Sequence, residues 1–423
     1  MLTAILPTLD DVPTTPSFAD LGLPAPMVAA LRRHGLTAPF PIQTATIPDV
    51  LAGRDVLGRG ATGSGKTLAF GLPMLVRLSG GRSHPKRPHG LILVPTRELA
   101  MQVTDALSPA ADALGLKVRP IVGGMAMGKQ VDQLRRGLDL VVATPGRLED
   151  HLRQGTCDLS AVETTTLDEA DQMADMGFLP VVRALLNQTA PNGQRLLFSA
   201  TLDGDVDKLV RQYLTDPVKH SLSPVTAAVD TMDHHFLRVS HTDKVQIAGA
   251  LAALGRRVLL FVRTKHGADR LVTQLERVGV TSRALHGGKT QSQRNRVLAD
   301  FKTGGLRVLV ATDVAARGVH VDAIDIVLHV DPPADPKAYL HRAGRTARAG
   351  ESGVVVTLVA PYSEKDSKRL ARDAGIAPLW SSVLAGDALP ESIRAVVPVA
   401  PPQVLRPLAE RRPERTGSPR GFE

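Results

Sequence analysis

The stretch GATGSGKT, Gly60 to Thr67, follows a short aliphatic strand pattern around Val56 and Leu57 and runs into the helical pattern LAFGLPML. It fits GxxxxGKT in full, in the strand, loop and helix setting that this pattern requires. Glycines at 60, 63 and 65 let backbone amides turn inward on phosphate oxygens, and the helix N-terminus adds a favourable dipole. Gly60, Ala61, Thr62, Gly63, Ser64, Gly65 and Lys66 then cradle a nucleoside triphosphate. Lys66 reaches the β- and γ-phosphates, and Thr67 holds Mg²⁺.

Outward from this loop, short β-branched runs recur, each followed by a polar or glycine-bearing turn and a helical pattern. They are LILVP (Leu91 to Pro95), LVVATPG (Leu140 to Gly146), TTTLDE (Thr164 to Glu169) and RLLFSAT (Arg195 to Thr201). This is the cadence of a parallel α/β sheet. After a polar connection near Ser221 to Asp233 a second set begins: VLLFVRT, RVLVATD, IDIVLHV and GVVVTLV, the last ending at Val359. Two similar domains in tandem are expected. From Pro398 onward prolines alternate with arginines, which reads as a disordered basic tail.

DEAD, Asp168 to Asp171, ends the strand TTTL, so its first carboxylate emerges at the C-terminal edge of the sheet, where doubly wound folds bind ligands. Asp168 is the expected Mg²⁺ partner, and Glu169 the general base for the attacking water. LSGG at Leu78 to Gly81 resembles the ABC-transporter motif, but it follows Thr67 almost at once and is read as a helix end with a glycine cap.

The 423 residues exceed what one hydrophobic core usually holds. A hydrophobic share of 43% without a run long enough to cross a bilayer argues against a membrane protein. MLTAILPTLDDVP lacks a basic start and does not read as a signal peptide. The single cysteine, Cys157, excludes an intramolecular disulfide and fits the reducing cytoplasm. Net charge of +9 favours a polyanionic partner, and aromatic content of only 3% points to contact with a sugar-phosphate backbone rather than base stacking on a broad platform. Adjacent His234 and His235 would point to opposite faces of a strand and are not a metal pair.

Besides the phosphate loop and DEAD, the chain carries PTRELA (Pro95 to Ala100), Gly123 and Gly124, TPGR (Thr144 to Arg147), SAT (Ser199 to Thr201), LLFVRTK (Leu259 to Lys265), ATDVAARG (Ala311 to Gly318) and HRAGRTAR (His341 to Arg348). In this joint order, from about Phe18 to Val359, the sequence resembles the DEAD-box ATP-dependent RNA helicases of superfamily 2. The resemblance implies an α/β fold of two tandem RecA-like domains, each a parallel β-sheet flanked by helices, with a disordered basic C-terminal tail. The expected divisions are an N-terminal extension (1–17), an ATP-binding domain (18–222), a linker (223–232), a second helicase domain (233–375) and a basic, proline-rich extension (376–423).

Carried over position by position, Gln43 in PFPIQ resembles the adenine-reading glutamine, and Phe18 the aromatic that stacks on the adenine. Asp171, Ser199, Thr201, Asp313 and His341 resemble the residues that couple nucleotide state to unwinding. Arg345 and Arg348 resemble arginine fingers presented to the γ-phosphate when the cleft closes. RNA contacts fall on Pro95, Thr96, Arg97, Gly124, Thr144, Arg147, Arg263, Gly287 and Thr312. ATP and Mg²⁺ are the implied substrate and cofactor, and RNA the partner, with little sequence preference. The compact core and basic tail look similar to bacterial RhlE-like helicases, which links the chain to ribosome assembly or RNA turnover and to the proteins of those processes. A cytoplasmic monomer away from membranes is expected. A DNA-directed motor of superfamily 2 and an ATP-gated RNA clamp stand as alternatives.

The sequence also departs from the family pattern. Leu36 occupies a position that is often aromatic, Phe40 one that is commonly Thr or Ser, Gly60 one that is commonly Ala, and Gly288 one that is commonly Asp or Asn. His320 stands in the place of a ribose-contacting aspartate, with Asp322 as a possible substitute.

Overall fold

The computed structural model describes residues 16–60, 64–81, 83–202, 204–221, 232–316, 324–347 and 353–395. The first domain contains α1 (Ala25–Arg33), α2 (Pro41–Leu51), β1 (Val56–Arg59), α3 (Lys66–Leu78), β2 (Gly90–Leu93), α4 (Arg97–Ala113), β3 (Val118–Ile121) and α5 (Met127–Arg135). It continues through β4 (Leu140–Ala143), α6 (Pro145–Arg153), β5 (Thr164–Asp168), α7 (Ala170–Asp175), α8 (Leu179–Leu186), β6 (Gln194–Ser199), α9 (Asp205–Tyr213) and β7 (Val218–Ser221). The second domain opens with β8 (Met232–Arg238), α10 (Lys244–Leu254), β9 (Val258–Phe261), α11 (Lys265–Arg277), β10 (Ser282–Leu285), α12 (Gln291–Lys302), β11 (Val308–Ala311) and α13 (Asp313–Ala316). It closes with β12 (Ile326–His329), α14 (Pro336–Ala343), β13 (Gly353–Val359), α15 (Glu364–Asp373), β14 (Leu379–Ser382) and α16 (Glu391–Arg394).

Both sheets are parallel and seven-stranded. The first runs β3-β4-β2-β5-β6-β1-β7 and the second β10-β11-β9-β12-β13-β8-β14, so each domain repeats the other's strand order. The aliphatic runs are strands because both faces are covered. In β2, Ile92 packs into the cluster beneath α1 to α4, while Leu91 and Leu93 pack into the cluster on the opposite face. The second sheet divides in the same way, with Val258 and Leu260 on one side and Leu259 and Phe261 on the other. Continuous apolar runs of this kind are what two-sided burial requires.

Matching caps start matching helices. The Thr96 hydroxyl accepts from Leu99 N at 3.2 Å where α4 begins, and the Thr264 hydroxyl accepts from Gly267 N at 3.0 Å where α11 begins. Each satisfies one orphan amide of its helix. All parallel strands end on one edge, and the functional segments gather there. Among the described residues no helix is long and apolar enough to cross a membrane. Cys157 is buried, which pushes its thiol up to about 12.

The boundary expected at residue 375 falls too early. Leu379–Ser382 adds β14 to the edge of the second sheet, pairing Trp380 with Phe236 in register. The Trp380 ring meets Phe236 edge-on at 5.0 Å and carries the Arg238 guanidinium at 4.9 Å from its centre. A four-residue strand has no helical period to announce it, and here a β-strand forms because β8 offers an open edge. Residues 1–15, 222–231 and 396–423, which include most of the expected linker and the basic tail, lie outside the described residues.

Candidate active site and nucleic-acid cleft

The phosphate loop spans the gap between β1 and α3. Gly65 caps α3 in the left-handed region (φ 88°), where an added Cβ would lie 2.6 Å from Gln43 Nε2 and 2.8 Å from Phe40 Cδ2. Only glycine fits there. Lys66 is buried, and its ammonium donates to Gly60 O at 2.7 Å. Ala61, Thr62 and Gly63 lie outside the described residues.

Across the sheet edge, β5 delivers Asp168, and the chain turns through Glu169 with φ 53°, a left-handed conformation that a non-glycine residue adopts only under constraint. Both carboxyls are buried, at 3% and 8% exposure. Burial raises the Asp168 carboxyl above its ordinary range against the pull of the Lys66 ammonium. Burial, with the Asp168 charge adding to it, raises Glu169 to about 7, and Arg345 and Lys66 act in the opposite sense. Glu169 Oε2 is buried without a hydrogen-bond partner among the described residues. This cluster of under-neutralised carboxylates facing a phosphate loop fits a hard divalent cation shared with substrate phosphates. Among the described residues there is no group of three or more His, Cys, Asp and Glu side chains that could hold a metal, and Mg²⁺ in nucleotide sites does not need one.

Asp171 ties the carboxylate strand to its neighbour. Its amide donates to Ser199 Oγ at 3.2 Å, and its Oδ2 accepts from Thr201 N at 3.1 Å and Thr201 Oγ1 at 3.2 Å. These bonds join the DEAD turn directly to the SAT segment. From the second domain, His341 Nε2 stands 3.8 Å from the same Asp171 oxygen, beyond hydrogen-bond reach. Burial lowers the His341 pKa, so the imidazole is held towards its neutral form.

Arg345 is buried and close enough to Glu169 to lower its carboxyl pKa, so the second domain reaches the carboxylates of the first. Arg342 is fixed by two bonds to Asp313, Nε to Oδ1 at 2.6 Å and Nη2 to Oδ2 at 2.8 Å, and it donates to Asp331 O at 2.8 Å. Its guanidinium also covers the Phe261 ring at 5.0 Å. Lys337 at the start of α14 pairs with Asp175 at the end of α7 at 2.9 Å. Arg348, His320 and Asp322 lie outside the described residues.

Gln43 locks α2 to the phosphate loop. Its Oε1 accepts from Phe40 N at 2.9 Å, and its Nε2 donates to Gly65 O at 3.0 Å, which leaves one lone pair and one proton uncommitted on a side chain that is 1% exposed. The expectation for Phe18 is overturned. Its ring is 2% exposed inside the cluster with Leu21, Met27 and Ile42, and a ring enclosed on both faces cannot stack on a ligand. Leu36 is half-buried against the same cluster. The open ring beside Gln43 and Gly65 is Phe40, at 49% exposure. Sequence reading registered Phe40 only as a departure. Its surplus hydrophobicity at a helix start was the available signal.

A second cleft, about 500 Å³, lies between the domains. Pro95, Thr96, Arg97, Gly124, Thr144 and Arg147 line it from the first domain and Gly287 from the second. Arg97 lies flat across the glycine pair, so that a Cβ on Gly124 would fall 2.1 Å from its Nη1. Arg263 lines a different cavity. Sequence reading missed the clasp that closes this cleft: buried Glu98 Oε1 accepts from Gln291 Nε2 at 2.8 Å and pairs with Arg294 Nη2 at 3.0 Å. Nothing local in QSQR, Gln291 to Arg294, says that it meets PTRELA; the two are brought together only by docking of the domains.

Residues 40–209 match the family described as DEAD/DEAH box helicase, and residues 243–350 match the helicase conserved C-terminal domain. The chain is 37% identical over 359 residues to the DEAD-box ATP-dependent RNA helicase CshA of Bacillus licheniformis, across 84% of this chain and 72% of that protein. It is 40% identical over 364 residues to DEAD-box ATP-dependent RNA helicase 30 of Arabidopsis thaliana, across 84% and 61%. Among solved structures, S. cerevisiae Dbp5 bound to RNA and ADP BeF3 is similar with a TM-score of 0.77 at 27% identity, across 86% of this chain and 95% of that one.

Proposed function

This chain belongs to the DEAD-box ATP-dependent RNA helicases, and on that premise we propose that it holds an RNA backbone between its two RecA-like domains and couples ATP turnover to local strand separation. What supports this reading is that both clefts are shared between domains. Arg345 reaches Glu169 on one side, and Gln291 and Arg294 grip Glu98 on the other. Anything that closes one cleft therefore closes the other.

In this reading Lys66 and the loop amides hold the phosphates, Glu169 positions the attacking water as general base, and Arg345 with Arg348 offsets charge as the γ-phosphoryl group leaves. Mg²⁺ would be held by Asp168 and Thr67 and would supply charge neutralisation at the phosphate oxygens. Gln43 reads the adenine edge, and Phe40, rather than Phe18, offers the base a face. Asp171, Ser199, Thr201, Asp313 and His341 carry the state of one cleft to the other. Arg97, Arg147, Thr144 and the Gly124 backbone bind phosphates and so give no sequence readout.

The cellular role we propose is remodelling of structured RNA in ribosome assembly or RNA turnover, as a cytoplasmic monomer. The RhlE-like subgroup rests on the compact core and basic tail alone, and the bacterial relatives named among the matches include the CshA proteins of Bacillus licheniformis and Bacillus subtilis. RNA crosslinked to the protein in cells identifies the target. For the mechanism, ATPase rate is measured with and without saturating RNA. We expect strong stimulation because RNA bridging both domains raises the closed population. Equal rates would overturn the coupling, and failure to displace a strand from a short duplex would leave clamping as the activity.

A further inference from the structure

The proposed RNA contacts of the second domain sit at the ends of neighbouring strands. Gly287 follows β10, Thr312 follows β11 and Arg263 follows β9, and the sheet continues β10-β11-β9-β12-β13. A strand of RNA passing these three in order next meets the ends of β12 and β13. There the structure has a cavity of about 540 Å³, bounded by Arg263, Arg270, Pro332, Pro333 and Tyr362. At the usual strand spacing the step from β9 to β13 is roughly 10 Å, about the reach of the next nucleotides.

The lining has the chemistry of a stacking pocket. Tyr362, on a short turn after β13, is 83% exposed. The other two tyrosines are engaged: Tyr339 is fully buried, and the Tyr213 hydroxyl bonds Asn187 at 2.9 Å. Lys244 is neutralised by Asp331 at 2.8 Å and Arg369 by Asp366 at 3.2 Å, whereas the Arg263 and Arg270 side chains have no ion pair among the described residues. Asp331 feels the Arg263 charge without pairing with its guanidinium, so both guanidinium groups stand beside an open ring and suit a phosphate and a base together.

The cavity also occupies the position in the second sheet that the phosphate loop occupies in the first, yet it is unsuited to a triphosphate. Ser240 to Asp243 contains no glycine, Asp243 caps α10, and the lysine is already paired. Acid at a helix N-terminus repels phosphate. We propose that this cavity receives one unpaired nucleotide of the RNA strand beyond Arg263, its base stacked on Tyr362 and its phosphate held by Arg263 and Arg270. The proposal rests on the RNA path given above. The added contact lengthens the footprint without reading sequence, because every base has a π-face.

Fluorescence anisotropy with oligouridylates of about 6 and about 12 nucleotides tests it, the longer one reaching past Arg263. Tyr362→Ala is expected to weaken the longer RNA by about 5- to 10-fold and the shorter one hardly at all, with Tyr362→Phe retaining affinity. Arg270→Glu should weaken the longer RNA, and more so at low salt. An abasic residue moved along the longer RNA should find one position that costs the wild type affinity and costs Tyr362→Ala nothing further. Equal binding of both lengths by Tyr362→Ala and wild type would overturn the pocket while leaving the RNA path intact. Arg263→Ala reports on the path itself: undiminished binding of both RNAs by that variant would remove the premise.

Discussion

The two sheets share one strand order, and each places a lysine at the first position of the helix that follows its equivalent strand: Lys66 after β1 and Lys244 after β8. Their surroundings are opposite. Lys244 is satisfied inside its own domain, by Asp331 at 2.8 Å. Lys66 faces buried Asp168 and Glu169, whose pKa values are raised by burial, and Glu169 keeps an oxygen without a hydrogen-bond partner among the described residues. The lysine of one copy is neutralised as folded, whereas the carboxylates facing the lysine of the other are left short of partners. In the proposed reading the same scaffold supports a chemical site in one domain and, in the other, a surface for RNA and for delivering arginines, because function resides in the loops rather than in the sheet.

This contrast breaks most sharply at Glu169. Glu169→Gln should lower turnover by about 10²–10⁴-fold while retaining ATP and RNA binding, measured as steady-state ATPase against equilibrium binding. Near wild-type turnover would remove the general base from the incomplete copy. Arg345→Ala is expected to lower RNA-stimulated turnover by about 10³-fold with nucleotide binding kept, since binding belongs to the first domain and completion to the second. Loss of ATP binding instead would merge the two roles.

The incomplete copy should also be visible without catalysis. With its carboxyl raised by burial to about 7, Glu169 contributes stability that is full below its ordinary pKa and is lost as pH rises through about 7. Glu169→Gln should therefore melt a few degrees higher than wild type at about pH 8 and at the same temperature near pH 4. A gain at both pH values would point to packing rather than charge.

Smaller effects sharpen the comparison at the nucleotide's other end and in the second copy. Phe18→Ala should destabilise the first domain by about 3–5 kcal/mol in denaturant titrations, as expected of a buried ring. Phe40→Ala should leave stability nearly unchanged and raise the KM for ATP several-fold. The reverse pattern would restore Phe18 to the base site. Asp331→Asn should cost the second domain about 1 kcal/mol or less, because the pair with Lys244 is partly exposed, at 32% and 22% of side-chain area.

The chain's own order of residues determined much of this. GATGSGKT between a strand and a helix specifies a phosphate loop because glycine's freedom and the helix N-terminus are local properties, and TTTL before DEAD sets where the carboxylates emerge because strands alternate and end locally. The tandem sheets were legible for the same reason, through aliphatic runs buried on both faces. Contacts between distant segments were not. Glu98 meets Gln291 and Arg294 only when the domains dock, β14 exists because β8 leaves an edge to pair, and Phe18 faces the core while Phe40 faces solvent although each is a lone aromatic ahead of a helix. Sequence fixes what each segment can do by itself; which aromatic is enclosed, which edge is free and which acid meets which arginine depend on packing energies summed over both domains, and only the tertiary structure decided them.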